Sequence, residues 1–432
     1  MAKPRKLKTY EKELDEKLDI EKLVATGSEG NSIYAMNPDT SVPDCPICHQ
    51  RMKNHGKFER IYIDVMSGDD GKPRYIDLHY LFYKYRCLNE DCELTLYQKP
   101  IEFANDNANV TKRMEDQIVR YASYLSYAQV ENKILSSVTK QAVGQIISRW
   151  VANKDDERGN SFYSPRTLGL LSFSWDNGKY SYILAIDAGH TDLYIFDVIR
   201  SIDTDSITVL LNKMDKSKIK YVVTDCNYTV VSAARDQLPD SEILVDTDVL
   251  FDSTVDGFKE ILRKDAMHTP VRDKELLLTN PSEIDKEEGL RIKRITEQKP
   301  KVSNGYDHLN RLRSMLSNAW DVTDIREWAN QIPLDCQSEF LMPSEYIDEY
   351  WAELINFYQR RREVTPALYQ KLKTLDEKLR KFRSCTDDVF RAKILYLCMI
   401  GKDMKNANGN WRGVPYANVM KMLDSLLNEM ED

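Results

Sequence analysis

The sequence predicts an α+β chain of several domains, and three observations carry that prediction. Two close cysteine pairs, Cys45/Cys48 and Cys87/Cys92, flank a stretch whose apolar and polar residues alternate as in a β-hairpin. Two amphipathic helical units follow between Thr111 and Asn153. Residues 167–250 then read strand, strand, strand, helix, strand, helix, strand. At 432 residues the chain is too long for one ordinary domain, and typical domain sizes give about three.

Composition narrows the class. With 42% hydrophobic and 30% charged residues the chain has the balance of a soluble globular protein. It lacks the run of about 18 uncharged apolar residues that a membrane span requires. The first residues, Met-Ala-Lys-Pro-Arg-Lys, are basic and lead into a polar stretch without the apolar core of a signal peptide. A cytoplasmic, nucleoid-associated bacterial protein is therefore expected. Eight cysteines diluted over this length, four of them in two close pairs, point to metal binding in a reducing compartment rather than to a disulfide framework. The net charge of −8 excludes a uniformly basic coat, so any nucleic-acid contact must come from local patches.

Taken in order, residues 1–40 read as a charged leader. Residues 41–104 form a small β module: Arg60–Met66 and Arg74–Tyr85 are strands joined by a turn at Ser67–Gly71. Because that hairpin separates Cys45-Pro-Ile-Cys48 from Cys87 and Cys92, four thiolates can meet around one tetrahedral Zn²⁺, making a zinc ribbon. His49 and His55 are then unnecessary as ligands, and with every position filled by protein the ion is structural.

Residues 105–155 are helical. Met114, Ile118, Tyr121, Ala122 and Leu125 share one face. A helix from Ser126, a break, and a second helix from Thr139 share Val130, Ile134, Val138, Val143, Ile146 and Ile147 as a core. In a helix-turn-helix the second helix enters the major groove, and Lys133, Thr139, Lys140, Gln141, Gln145 and Arg149 are the candidate DNA contacts. A plain helical hairpin with a solvated face fits the pattern equally. Placement directly after a zinc module favours the DNA-binding reading.

The strand and helix order of residues 165–254 is that of an RNase-H-like α/β core, with a large helical insertion at 255–380 and a C-terminal helical part of the core at 381–432. In such nucleases acidic residues at the ends of the first and fourth strands and on a late helix hold two divalent ions. Asp225 closes the fourth strand. It reads equally as a loop-turn residue. Asp246 is a weaker case of the same kind, and Asp187 ends the second strand, as a displaced ligand or a hairpin-turn residue.

Together these segments resemble the zinc-ribbon transposases of the ISL-three insertion-sequence family over roughly residues 45–400. The resemblance is carried by the two cysteine knuckles, the helix pair, and the block Val222-Val-Thr-Asp225, Leu238-Pro239, Ile243-Leu-Val-Asp246. It implies a DDE strand-transfer core using Mg²⁺ or Mn²⁺. The departures are specific. Thr247-Asp248-Val249 stands where the family has Arg-Phe-His. Counting back from Tyr182, the first acidic position lands on Ser172. The last acid, a Glu on a helix in the family, matches Asp388 in Thr386-Asp-Asp388-Val-Phe-Arg-Ala-Lys393.

The reading that follows is a transposase-family protein that binds specific duplex DNA, as a homodimer on transposon-end-like sites, with a degenerate catalytic site. An active DDE transposase using Asp225, Asp388 and Asp187, and a zinc-dependent protein-interaction scaffold, are the alternatives. Trp150, Trp328 and Trp411 are expected as core anchors, and Cys226 and Cys336 as buried thiols.

Overall fold

The computed structural model describes residues 20, 23–67, 72–105, 108–134, 138–175, 180–189, 193–199, 202–317, 322–382 and 404–431. They fall into two compact units that divide between Lys154 and Asp155.

The first unit holds a five-stranded sheet: β1 (Val24–Glu29), β2 (Ser32–Met36), β3 (Lys53–Ser67), β4 (Pro73–Arg86) and β5 (Leu96–Gln98), in the order β1-β2-β4-β3 with β5 on the end of β4. The alternation in sequence becomes the two faces of the hairpin. Tyr62, Asp64 and Met66 on β3 and Ile76, Leu78, Tyr80 and Phe82 on β4 are buried, while the residues between them are partly or fully open. Residues 24–36, expected within a charged leader, instead supply two strands, β2 running parallel to β4. Their small and aliphatic residues Ala25, Ile33 and Ala35 are buried in the same core.

Three helices follow the sheet: α1 (Lys112–Ala122), α2 (Tyr127–Lys133) and α3 (Lys140–Arg158), the residues of α3 up to Lys154 belonging to this unit. Thr111 caps α1, its hydroxyl accepting from the Met114 N–H at 3.2 Å. Ser126 and Gln129 close a capping box on α2, the reciprocal bonds that favour a start there. The expected core residues Val130, Ile134, Val138, Val143, Ile146 and Ile147 are all buried. Sheet and helices are tied at Asp64, which is fully buried and accepts from Thr111 Oγ1 and from Arg113 Nε at 2.8 Å. Truncating it leaves Arg113 and Thr111 without their acceptor. Asp64→Ala is therefore expected to cost ~2–3 kcal/mol, below the figure for a wholly buried pair because Arg113 is partly open to water. An unchanged urea midpoint contradicts this.

In the second unit the seven elements occur in the expected order: β6 (Thr167–Trp175), β7 (Tyr180–Asp187), β8 (Tyr194–Ile199), α4 (Thr204–Leu211), β9 (Tyr221–Thr224), α5 (Tyr228–Gln237) and β10 (Glu242–Val245). Its six-stranded sheet runs β10-β9-β6-β7-β8-β11 among the described residues, the last strand being Val414–Pro415. The β6-β7-β8 meander is antiparallel, whereas β9 and β10 lie parallel to β6. This mixed α/β architecture is consistent with an RNase-H-like core. The C-terminal segment, expected as purely helical, adds β11 and the buried Trp411 to the sheet edge before α14 (Tyr416–Glu431). Trp411 Nε1 donates to Phe196 O at 2.8 Å.

The helical insertion comprises α6 (Thr247–Asp265), α7 (Val271–Leu278), α8 (Lys286–Gln298), α9 (Pro300–Ser317), α10 (Val322–Asn330), α11 (Leu341–Glu349), α12 (Trp351–Arg360) and α13 (Leu368–Arg380). It has its own core around Phe258, Ile261, Leu309 and Phe340. A Cβ on Gly305 would lie 2.9 Å from Ile261 Cδ1 and Phe258 Cδ2, so the α6–α9 crossing needs glycine there. The insertion returns to the sheet through α12, where Asn356 Nδ2 donates to Ile243 O at 3.2 Å. Trp328 is fully buried and Trp150 nearly so, and Cys226 and Cys336 are buried. Among the described residues no helix is long and apolar enough to cross a membrane.

Candidate functional site

The four cysteines converge at one end of the β3–β4 hairpin. Their sulfurs all lie within 4.8 Å of one another, with Cys45 Sγ 3.7 Å from Cys92 Sγ and Cys48 Sγ 3.5 Å from Cys87 Sγ. Four sulfurs at ~2.3 Å from a shared tetrahedral Zn²⁺ stand ~3.8 Å apart, so the donor set fits that ion without rearrangement. Tight turns bring the thiols round: His49 N donates to Cys45 O at 2.9 Å with His49 itself at φ 57°, and Cys92 N donates to Asn89 O at 3.2 Å. Both histidines near the cluster are exposed and take no part in it. Around the sulfurs lie only Met52, Tyr85 and a few half-buried neighbours. Among the described residues this is the one group whose ligand atoms meet in this way.

On α3, Thr139 caps the helix by accepting from Ala142 N at 3.3 Å, and Lys140 N donates to Glu131 Oε2 at 3.0 Å. Thr139, Lys140, Gln141 and Gln145 are exposed, while Val143, Ile146 and Ile147 face the core. Two of the six candidate contacts are otherwise engaged. Arg149 forms an ion pair with the buried Glu115 of α1, so its guanidinium anchors one helix to another instead of standing free. Burial pushes the Glu115 carboxyl up even so. Lys133 Nζ stands 4.8 Å over the Tyr121 ring, a cation–π contact.

The third feature is a cleft of about 480 Å³ at the carboxyl ends of β9 and β6, lined by Ser172, Asp225, Asn227, Asp252, Asp256 and Tyr369 among others. Strand register builds it. Leu170 pairs with Thr224, so the next inward residue of β6, Ser172, meets Asp225 as the chain leaves β9. Ser172 N donates to Asp225 Oδ2 at 2.8 Å and the Ser172 hydroxyl donates to the same oxygen, while Asn227 N donates to Oδ1 at 3.2 Å. Burial nevertheless outweighs these donors and raises the Asp225 carboxyl to about 6. Asp246 closes β10 and caps α6, accepting from Asp248 N at 3.0 Å; burial and the neighbouring Asp248 raise it to about 7.

Sequence reasoning missed the acids on α6. Asp252 and Asp256 line the cleft one helical turn apart, and that spacing just after a strand-ending Asp was the signal available. Tyr369 Oη donates to Asp252 Oδ2 at 3.4 Å and Lys373 forms an ion pair with Asp252. Both come from α13, so the cleft carries its own cation. Asp187 is not brought to it. That residue pairs with Leu168, itself opposite Val222, so it stands roughly 10 Å down the strands from Asp225. Its Oδ1 accepts from Gly189 N at 3.2 Å, a local turn role. Asp388 lies outside the described residues.

With two of the three acidic positions described, the cleft offers one strand-end carboxylate whose oxygens are engaged by Ser172 and Asn227. Among the described residues the acids of the cleft do not bring their oxygens together as a two-metal site requires. No curated protein matches the chain. The DDE-core transposase family model of the ISL3 type matches residues 172–394, a span that begins at Ser172 and takes in Asp225, Asp246 and the whole helical insertion. That span is more than half of the sequence, and the chain belongs to the ISL3-type transposase family.

Proposed function

We propose that this transposase-family protein binds specific duplex DNA, of the transposon-end kind, through the α2–α3 pair that follows the cysteine-bearing hairpin in sequence, and that its strand-transfer site is degenerate. The observation that carries the reading is the exposed stripe Thr139, Lys140, Gln141 and Gln145 at the start of a helix whose opposite face is wholly buried. Glutamine side chains can read adenine edges with paired hydrogen bonds, and a helix N-terminus favours nearby phosphate. Binding as a homodimer on inverted or repeated ends follows from the two-fold logic of such helix pairs.

Gln141→Ala and Gln145→Ala are each expected to weaken binding by ~1–3 kcal/mol and to relax base preference at one position. Gel shifts against DNA flanking the gene test this; weak, sequence-blind binding by the unaltered protein would sink it. The degenerate site is supported by Ser172, whose hydroxyl bonds Asp225 where the resemblance calls for a second carboxylate. Only the acids Asp252 and Asp256 in the same cleft favour retained strand transfer. Robust Mn²⁺-dependent nicking that Asp225→Ala abolishes would establish that second reading.

A further inference from the structure

The zinc end of the β3–β4 hairpin carries an arrangement that sheet stability does not explain. Lys53 lies directly across from Arg86, and Gly56 across from Lys84, with one extra residue, His55, in the bulge between. Like charges placed opposite each other on neighbouring strands repel. Both Lys53 and Arg86 are exposed, and among the described residues neither has a carboxylate in ion-pair range. Alternation puts Lys84, Phe82 and Arg60 on the same face as this pair, and Glu59 on the other, where His79 binds it. On this face the two strands therefore hold no carboxylate between Lys53 and Arg60 or between Tyr80 and Arg86. An aromatic ladder floors it. His55 stacks on Phe58 at 6.2 Å, Phe58 on Phe82 at 6.1 Å, and Lys84 Nζ sits 4.8 Å over the Phe58 ring. Phe58 remains 37% exposed.

In a chain of net charge −8, an acid-free face with a cross-strand pair of cations is a local positive patch that attracts a polyanion. We propose that the Lys53–Arg86 face lies along the phosphate backbone of duplex DNA, as a contact additional to the α3 stripe. The proposal rests on the DNA-binding reading above and adds a second, sequence-independent footprint. Its cations position the duplex and carry no base information.

The test is fluorescence anisotropy of the zinc-loaded full chain on a duplex of about 30 base pairs of arbitrary sequence, across a salt series. Each phosphate contact contributes about 0.9 to the slope of log affinity against log salt, so the double variant Lys53→Gln/Arg86→Gln should flatten that slope by about 2. The advantage of the unaltered protein should then shrink roughly tenfold between about 50 and 200 mM salt. A second variant separates binding from folding. Lys53→Glu replaces the repulsion by a cross-strand ion pair, so it should raise Tm by about 2 °C while lowering DNA affinity. If the unaltered protein binds DNA and Gln145→Ala weakens it, but the double variant keeps its slope and Lys53→Glu its affinity, this inference falls and the DNA-binding reading stands. If the unaltered protein shows no salt-sensitive binding at all, both fall.

Discussion

Withdrawing zinc from the folded protein is expected to weaken duplex binding and to melt the cysteine-bound end of the first unit. The physical reason is the poverty of the local core. Around the sulfurs the buried residues are Cys45, Met52, Tyr85 and Cys87 themselves, which is far less apolar burial than the ordering of two turns and a strand end requires. A structural Zn²⁺ supplies an apparent ~10–16 kcal/mol at neutral pH, and that contribution vanishes with the ion. Melting should stop partway along the hairpin, because Tyr62, Ile76, Leu78 and Tyr80 belong to a separate core with Ala25, Ile33 and Ala35. A strong chelator, or Cys48→Ser, should therefore remove one zinc per chain and lower duplex affinity by at least tenfold at moderate salt. Far-UV dichroism should lose only part of its strand signal. Unchanged affinity and an unchanged melting profile after the metal has been shown to leave would contradict the structural role.

What could be read from the sequence was what short-range spacing dictates. The cysteine knuckles need only their own neighbours, and the elements of the core announce themselves by periodicities of two and 3.6. Ser172 was reached by counting from Tyr182, and it does meet Asp225. Pairings between distant residues were not legible. The strands at 24–36 are short, interrupted by Gly27 and Gly30, and secured by parallel pairing with β4 some forty residues on, which leaves no local trace. Arg149 looked free until Glu115, thirty-four residues earlier, turned out to hold it. Lys373, which neutralises Asp252 in the cleft, is 121 residues away from its partner. The two readings of Asp187, ligand or turn residue, stayed open for a related reason: its position at a strand end was legible, but only the register of β7 on β6 tells which end of the sheet that is.

The substitution Ser172→Asp is expected to cost the metal-free protein about 3 kcal/mol and to make its stability respond to divalent ions. Asp225 is buried, and its folded-state carboxyl titrates at about 6, above the ordinary value. Its preference for the proton therefore stabilises the fold fully below about pH 4, and that contribution is lost as pH rises through about 6. A second carboxylate in contact with it must either ionise beside a like charge or hold a proton against the solvent. Raising the introduced carboxyl by roughly two units from its ordinary value corresponds to about 3 kcal/mol at neutral pH. Stability of the variant should accordingly fall more steeply than that of the parent between about pH 5 and about pH 8. Two strand-end acids in contact are also what a divalent cation needs in order to bridge them. Millimolar-order Mn²⁺ should then raise the Tm of the variant and leave the parent unmoved, with Ca²⁺ as a control for general salt effects. Lys373 competes for the same cleft through Asp252, so adding Lys373→Met to Ser172→Asp should strengthen the Mn²⁺ response. A parent protein already stabilised by Mn²⁺, with Asp225→Asn removing the effect, would mean that Ser172 has not disabled the site. A variant as stable as the parent at pH 8 and indifferent to metal would mean that the two side chains do not share the space their hydrogen bonds describe.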